Sequence, residues 1–311
     1  MGWLIIGAAI VLLTLLNIWL RRFKWRKQVV SISDKLVWLF LLGILGRVTN
    51  NDSLLWFSLF SLLIFLKMPL PVLIQSVCQI AGDLIVTIKY GSRLPKKESY
   101  DLKNKYILPF SGKWTVVNGG VDKALLHGGN ASQRFAYDFI ILDDEGKSFL
   151  GDERSVGSYY CYGKDVLAPA DGTVVHLRDN HRDSYVDGKK AYCDAGTLVG
   201  NVIVIRHDGD EHSLIAHLMP RSAVVRAGDK VKQGDIVAKC GNSGNTSQPH
   251  IHFQLQKGRS FFLSPGLPIA FTGITARPKT NYNTLDQRPT DGNLVIDGNI
   301  TYIGRGLEVE N

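Results

Sequence analysis

Pro249-His250-Ile251-His252-Phe253 is the stretch on which the reading of this chain turns. Two imidazoles alternate with two apolar side chains, the period of a β-strand, so His250 and His252 share one face while Ile251 and Phe253 enter a core. Two histidines on a solvated strand face show the same spacing, so the flanking sequence has to decide between a site and a surface. Upstream, Gly241-Asn242-Ser243-Gly244-Asn245 reads as a tight loop delivering that strand. Ile215-Ala216-His217-Leu218 is a second strand carrying a third histidine.

Working outward, Val166–Ala168 with Gly172–Leu177, Val202–Arg206, Ser213–Leu218, Val231 with Ile236–Ala238, and Ile251–Leu255 are short β-rich runs. Asp208-Gly209-Asp210, Ala227-Gly228-Asp229 and Gln233-Gly234-Asp235 are turn signals between them. No long amphipathic helix interrupts the series, so a parallel βαβ sheet is disfavoured. The expected fold class is mainly β, an antiparallel sheet or sandwich over residues 91–275. A polar extension follows at 276–311, in which Leu294–Ile296 and Ile300–Ile303 suffice for a hairpin.

The first 90 residues have another texture. They hold nine Lys and Arg against three acidic residues, a net of +6, while the remainder of the 311-residue chain carries only +2. The balanced C-terminal part gives no electrostatic footprint for nucleic acid, which is excluded as a partner. Met1–Leu20 holds no charged side chain, and about twenty apolar residues is the length of a membrane helix, here placed at 3–20. Arg21, Arg22, Lys24, Arg26 and Lys27 follow the apolar run instead of preceding it, which favours a retained span over a signal peptide and puts its C-terminal end in the cytoplasm. Further apolar helices are expected within 36–88, from the runs Leu36–Gly46, Ser53–Leu66 and Met68–Gly82. Their number of crossings is open: one or three put residues after 90 outside the cytoplasm, two put them inside. The four cysteines spell no metal cluster. Cys78 and Cys240 read as packed thiols, while Cys161 and Cys193 can pair in an oxidising compartment.

Taken together, Tyr162-Gly163 to Val175, Gly200-Asn201 to Arg206, Ala216-His217-Leu218, Gly228-Asp229-Lys230-Val231 to Gly234, and Gly241 to Phe253 resemble the lysostaphin-type or LytM-type zinc metallopeptidases of the duplicated-hybrid-motif fold, which cut peptides of bacterial cell walls. The resemblance is strong over about Gly163–Leu255. It implies a mononuclear Zn²⁺ site with His252 as a ligand and His250 and His217 as catalytic histidines. It also implies an Asp ligand, supplied by Asp138 in Phe135-Ala136-Tyr137-Asp138-Phe139, and a His usually four residues before it. Arg134 stands at that position and has no lone pair to give. His127, in Leu126-His127-Gly128-Gly129-Asn130, is expected to take the role across a longer loop. His176, His181, His207 and His212 read as surface or hydrogen-bonded groups, His212 because strict alternation turns it away from His217.

The implied substrate is a peptidoglycan stem or cross-bridge peptide, which breaks the topology tie in favour of a bilayer-anchored chain with its peptidase domain on the extracytoplasmic side. Two rivals stand beside this expectation. One is a catalytically inactive relative that binds the wall or regulates other wall hydrolases. The other is a biotinyl- or lipoyl-type carrier suggested by Gly228–Asp235, which has no use for His250, His252 and Asp138.

Overall fold

The computed structural model describes residues 39–49, 70–122, 124–127, 130–186, 197–290, 295–297 and 300–311, with the isolated positions 16, 29, 32 and 36. The chain divides into two units, Met1–Val77 and Cys78–Asn311. In the first, helix α1 covers Phe40–Thr49, and helix α2, Leu70–Tyr90, begins there and ends in the second. The expected span 3–20, Leu16 apart, and the run Ser53–Leu66 lie outside the described residues. Among the described residues no helix is long and apolar enough to cross a membrane.

The second unit is built from short strands. In chain order they are β1 (Trp114–Asn118), β2 (Tyr137–Ile140), β3 (Asp165–Leu167), β4 (Gly172–Arg178), β5 (Asn201–Arg206), β6 (Glu211–Leu218), β7 (Lys230–Val231) and β8 (Ile236–Lys239). There follow β9 (Ile251–Lys257), β10 (Gly266–Leu267), β11 (Phe271–Thr272), β12 (Thr275–Pro278), β13 (Val295–Asp297), β14 (Ile300–Tyr302) and β15 (Leu307–Glu310). The main sheet runs β12-β15-β1-β2-β9-β6-β5-β4-β7, with β10 on the side of β9. All its pairings are antiparallel, the mainly β antiparallel class expected from the turn-rich texture.

Register explains how the sheet separates core from site. Tyr137 and Ile215 both face Phe253, and Phe139 faces Ile251, so these side chains fall on one face and join the buried cluster with Ile203, Ile205 and Leu255. The β3–β8 ribbon adds Val166, Val237 and Ala238 to that cluster. Asp138, His252 and Ala216 are cross-strand neighbours on the opposite face. The alternation read from His250 to Phe253 is thus what sorts chemistry from packing.

The tail is woven into the sheet. β15 lies between β1 and β12, pairing Trp114 with Val309 and Ala276 with Val309 from its two sides. β13 pairs antiparallel with β14, Ile296 facing Thr301. Near the other end, Glu211 is fully buried and accepts from Tyr100, Tyr106 and Asn104 side chains at 2.7 to 2.9 Å and from the Lys103 backbone at 2.9 Å, which fastens residues 100–106 to the start of β6. Within this unit, Gln79 of α2 bonds Ser132 and Gln133, and Asp83 accepts from the Ala131 backbone. Cys161 and Cys240 are free, buried thiols, Cys161 donating to Pro249 O at 3.2 Å; Cys193 lies outside the described residues.

Candidate metal centre

Asp138 and His252 are direct cross-strand partners on β2 and β9, so their side chains emerge together. His252 Nδ1 lies 3.0 Å from Asp138 Oδ1. Its other ring nitrogen, Nε2, lies 3.0 Å from Gln254 Oε1 two residues along the same face, and Gln254 Nε2 donates to Gln256 Oε1 at 2.6 Å. An amide oxygen can only accept, so a proton sits on Nε2, and Nδ1 is the ring nitrogen on the Asp138 side, the one available to a metal.

His127 reaches the same point from the loop before β2. Its Nε2 is 2.8 Å from Asp138 Oδ2, and its backbone N–H bonds Arg134 O, closing the loop back on itself. Arg134 points elsewhere, donating to Pro95 O and covering the Phe135 ring. The eleven-residue separation is therefore spanned by a loop, and one ligand atom each from His127, Asp138 and His252 lie within 4.8 Å of one another. Two imidazoles and a carboxylate are a donor set suited to Zn²⁺, and three protein ligands leave a position open.

His217 arrives by a different route. Regular alternation would send it into the core beside Ile215. Instead the β5–β6 register slips between Asn201 and Val202, where Val202 faces Ala216 and Asn201 faces Leu218, and His217 takes φ 62°. The bulge turns its ring onto the site face, against His250 (centroids 4.6 Å) and His252 (5.9 Å). This corrects the reason for setting His212 aside. His212 pairs with Gln256 and so shares the face of His252; it is removed by four residues along the strand, about 13 Å.

His217 Nδ1 lies 2.7 Å from Ser243 O, and His250 Nδ1 lies 2.8 Å from Gln248 O. A carbonyl can only accept, so both rings carry their proton on Nδ1 and keep Nε2 free. Burial, then the neighbouring His250 and His252, push the proton affinity of His217 well below the ordinary histidine value. His250 is lowered too, chiefly by burial and against the pull of Asp138. Burial opposes the Asp138 carboxylate, but the charge and hydrogen bond of His127, the His252 hydrogen bond and the charge of His250 outweigh it and hold its pKa well down. For His127, burial and the charges of Arg288 and Arg305 are outweighed by Asp138, and its pKa is raised.

Residues 156–262 match Peptidase family M23. This segment is similar to the M23 peptidases. The M23 segment contains His217, His250 and His252, while His127, Asp138 and everything after residue 262 lie outside it. The chain is 31% identical over 122 residues to an uncharacterized metalloprotease of Haemophilus influenzae, covering 39% of this chain and 22% of that protein. It is 32% identical over 92 residues to the peptidoglycan DD-endopeptidase ShyC of Vibrio cholerae, covering 30% and 19%. It is also 29% identical over 128 residues to the murein hydrolase activator NlpD of Salmonella dublin, covering 41% and 29%. The matches thus span under a third of the length of these relatives.

Two further groups beside the centre carry no motif. Arg305 donates to Asn118 Oδ1 at 3.2 Å, Asn118 donates to Asp138 Oδ2 at 3.3 Å, and Arg288 stands nearby on an Asp286 ion pair. Their spacing in sequence, far from Asp138 and in a polar tail, offered nothing to find them by.

His176, His181 and His207 stay out of the centre. His207, for one, is buried between Asp171 O and Ser213 Oγ at 2.7 and 2.9 Å.

Proposed function

We propose that this chain is a zinc-dependent endopeptidase that hydrolyses peptide bonds of peptidoglycan, anchored in the membrane by its apolar N-terminal region with the peptidase domain on the extracytoplasmic side. The observation that carries the catalytic reading is the convergence of His127 Nε2, Asp138 and His252 on one point, with the His217 and His250 rings packed beside it. The M23 match and the relatives' wall-directed names support the substrate class.

In this reading His127, Asp138 and His252 hold the ion. Bound Zn²⁺ would supply Lewis-acid polarisation of the scissile carbonyl and a lowered water pKa. The rest falls to the chain's own side chains. His217 and His250 are neutral near pH 7 with Nε2 unprotonated, so either can take the proton of the attacking water. The imidazolium so formed becomes the donor for the developing oxyanion or the leaving amine. His250 lines the groove beside Asp138, which supports it as the histidine that passes the proton taken from water on to the leaving group. Gln254 keeps His252 in the tautomer that ligation needs.

The test is digestion of purified wall material by the protein with and without chelator, new amino termini being identified. Chelator-sensitive release of new amino termini is expected, together with about one zinc per chain. A second reading follows from the similarity to the activator NlpD: a wall-binding regulator without turnover of its own. A protein that holds zinc at full occupancy, cuts nothing, and raises the activity of a separate wall hydrolase would establish that reading instead.

A further inference from the structure

Downstream of the M23 segment, the chain adds two guanidinium groups to the surroundings of the centre. Arg288 lies on the wall of a groove of about 290 Å³ that also exposes Asp138, Gln248 and His250. One edge of its fork is taken: Nε donates to the Asp286 oxygens at 3.1 and 2.8 Å, and Nη2 reaches Asp286 Oδ2 at 2.7 Å. Asp286 accepts from the Arg288 backbone as well, at 2.9 Å, so the residue is gripped at backbone and side chain. Nη2 also approaches Val117 O at 3.4 Å, while Nη1 has no partner among the described residues.

An exposed Asp–Arg pair by itself is worth little and needs no role. Here its surroundings are not neutral. Arg305, only 4% exposed, spends its hydrogen bonds on Pro289 O and Asn118 Oδ1, and its Nε has no partner. Asp286 alone therefore does not cancel the two cations. The groove runs from the proton-handling His250 and the ligand Asp138 to a rigidly held guanidinium with an open edge. Its volume is at the lower end for ligand pockets, enough for one side chain or chain end next to a reacting bond. Guanidinium is the side-chain group whose planar fork matches a carboxylate.

We propose that Arg288 binds a free carboxylate on a residue flanking the scissile bond, so that the site selects anionic peptides over their amidated counterparts. The assignment rests on the hydrolytic reading above and names the chemistry of its substrate. The carboxylate meets the open edge of Arg288, while Asp286 holds the other edge and sets the plane of the fork. Arg305 backs the wall with charge and, through Asn118, ties that wall to Asp138.

The probe is a pair of short wall-type peptides identical except for a carboxylate or its carboxamide beside the bond that is cut. The wild type is expected to favour the carboxylate peptide about tenfold in kcat/KM, expressed mainly in KM. R288Q brings the ratio of the two peptides close to one, and R288K falls between because it keeps the charge and loses the fork. Zinc content and thermal unfolding of R288Q at wild-type levels show that the side chain, 55% exposed, was removed without loss of the fold. A second arm titrates both peptides into chelator-treated wild type and R288Q by calorimetry. A wild type that cuts neither peptide refutes the hydrolytic reading, and a binding preference that R288Q abolishes still upholds the role of Arg288. A peptide ratio unchanged by R288Q in both arms overturns it.

Discussion

His217 holds a backbone conformation, φ 62°, that costs a non-glycine residue on the order of 1–3 kcal/mol and persists only where the surroundings impose it. Here they are the bulge against β5 and the carbonyl of Ser243, and what the strain provides is a third histidine on a face that alternation would have denied it. Its role is then distinct from that of the ligand residues. His127→Ala, Asp138→Ala and His252→Ala are each expected to weaken zinc binding by more than about 100-fold, and Gln254→Leu by about 10–100-fold. His217→Ala and His250→Ala should keep the metal and lose turnover. Metal analysis of the purified variants decides, and zinc loss in the His217 variant would overturn the division. Proton linkage gives a second handle. Because burial and the neighbouring rings depress the pKa of His217 in the folded state, the unfolded chain binds that proton first, and stability is lost as pH falls below the ordinary value of 6.5 towards the folded one. His127 works in the opposite sense, its raised pKa giving a contribution that is full below 6.5 and fades as pH rises through the folded value. Thermal unfolding of the metal-free protein should therefore show a falling midpoint from about pH 7 to about pH 5, with a shallower slope in His217→Gln. An identical slope in the variant would contradict the assignment. Of these residues, the shared face of His250 and His252 was legible because strand alternation is a local rule, while Asp138 was pointed out only by the family resemblance. The orientation of His217 was not legible, since a one-residue register slip depends on the neighbouring strand, and the reach of His127 depends on a loop path that spacing does not encode.

Ser243 owes its place to a close apposition of two loops. Gly200, at φ 59°, has Ser243 O only 2.1 Å from where a β-carbon would sit, and Gly244, at φ 87°, would meet the Gly200 nitrogen at 2.3 Å. Each glycine is needed both for its left-handed backbone and for the missing side chain of the other loop. Gly200→Ala should cost more than about 1 kcal/mol and, by displacing the carbonyl that orients His217, lower kcat by more than it lowers zinc occupancy. Thermal unfolding and turnover measured on the same preparation test this, and wild-type turnover in that variant would refute the link. The sequence marked 241–245 as a tight loop, and the turns at 208–210, 228 and 234 fall where the glycines stood. It could not reveal that Gly200 and Gly244 face one another, because they lie on separate connections brought together only by the sheet.

Across the whole unit, the segment read as a polar extension supplies an inner strand. With β15 between β1 and β12, a chain cut after Gly304 would leave both neighbours with open edges and uncover Trp114. Such a truncation is expected to yield insoluble protein or a strongly lowered unfolding temperature; a soluble product with wild-type unfolding would show the strand to be dispensable. The proposed topology is tested separately, by fusing to the C-terminus a reporter that works only in the cytoplasm, which should be silent. Hairpin signals at 294–303 were readable, but the partner of 307–310 was not, since it sits almost two hundred residues earlier. That separation has a consequence in time. A ribosome adding about 5–20 residues per second needs on the order of 10 to 40 s to travel from Trp114 to Val309. During that interval β1 has no outer neighbour, and the Arg305 that steadies Asn118 against Asp138 has not yet been made. That support of the cleft is thus made well after the strand it steadies, so a chain delivered across a membrane during synthesis would complete the groove beside Asp138 only after β1 had waited out that interval.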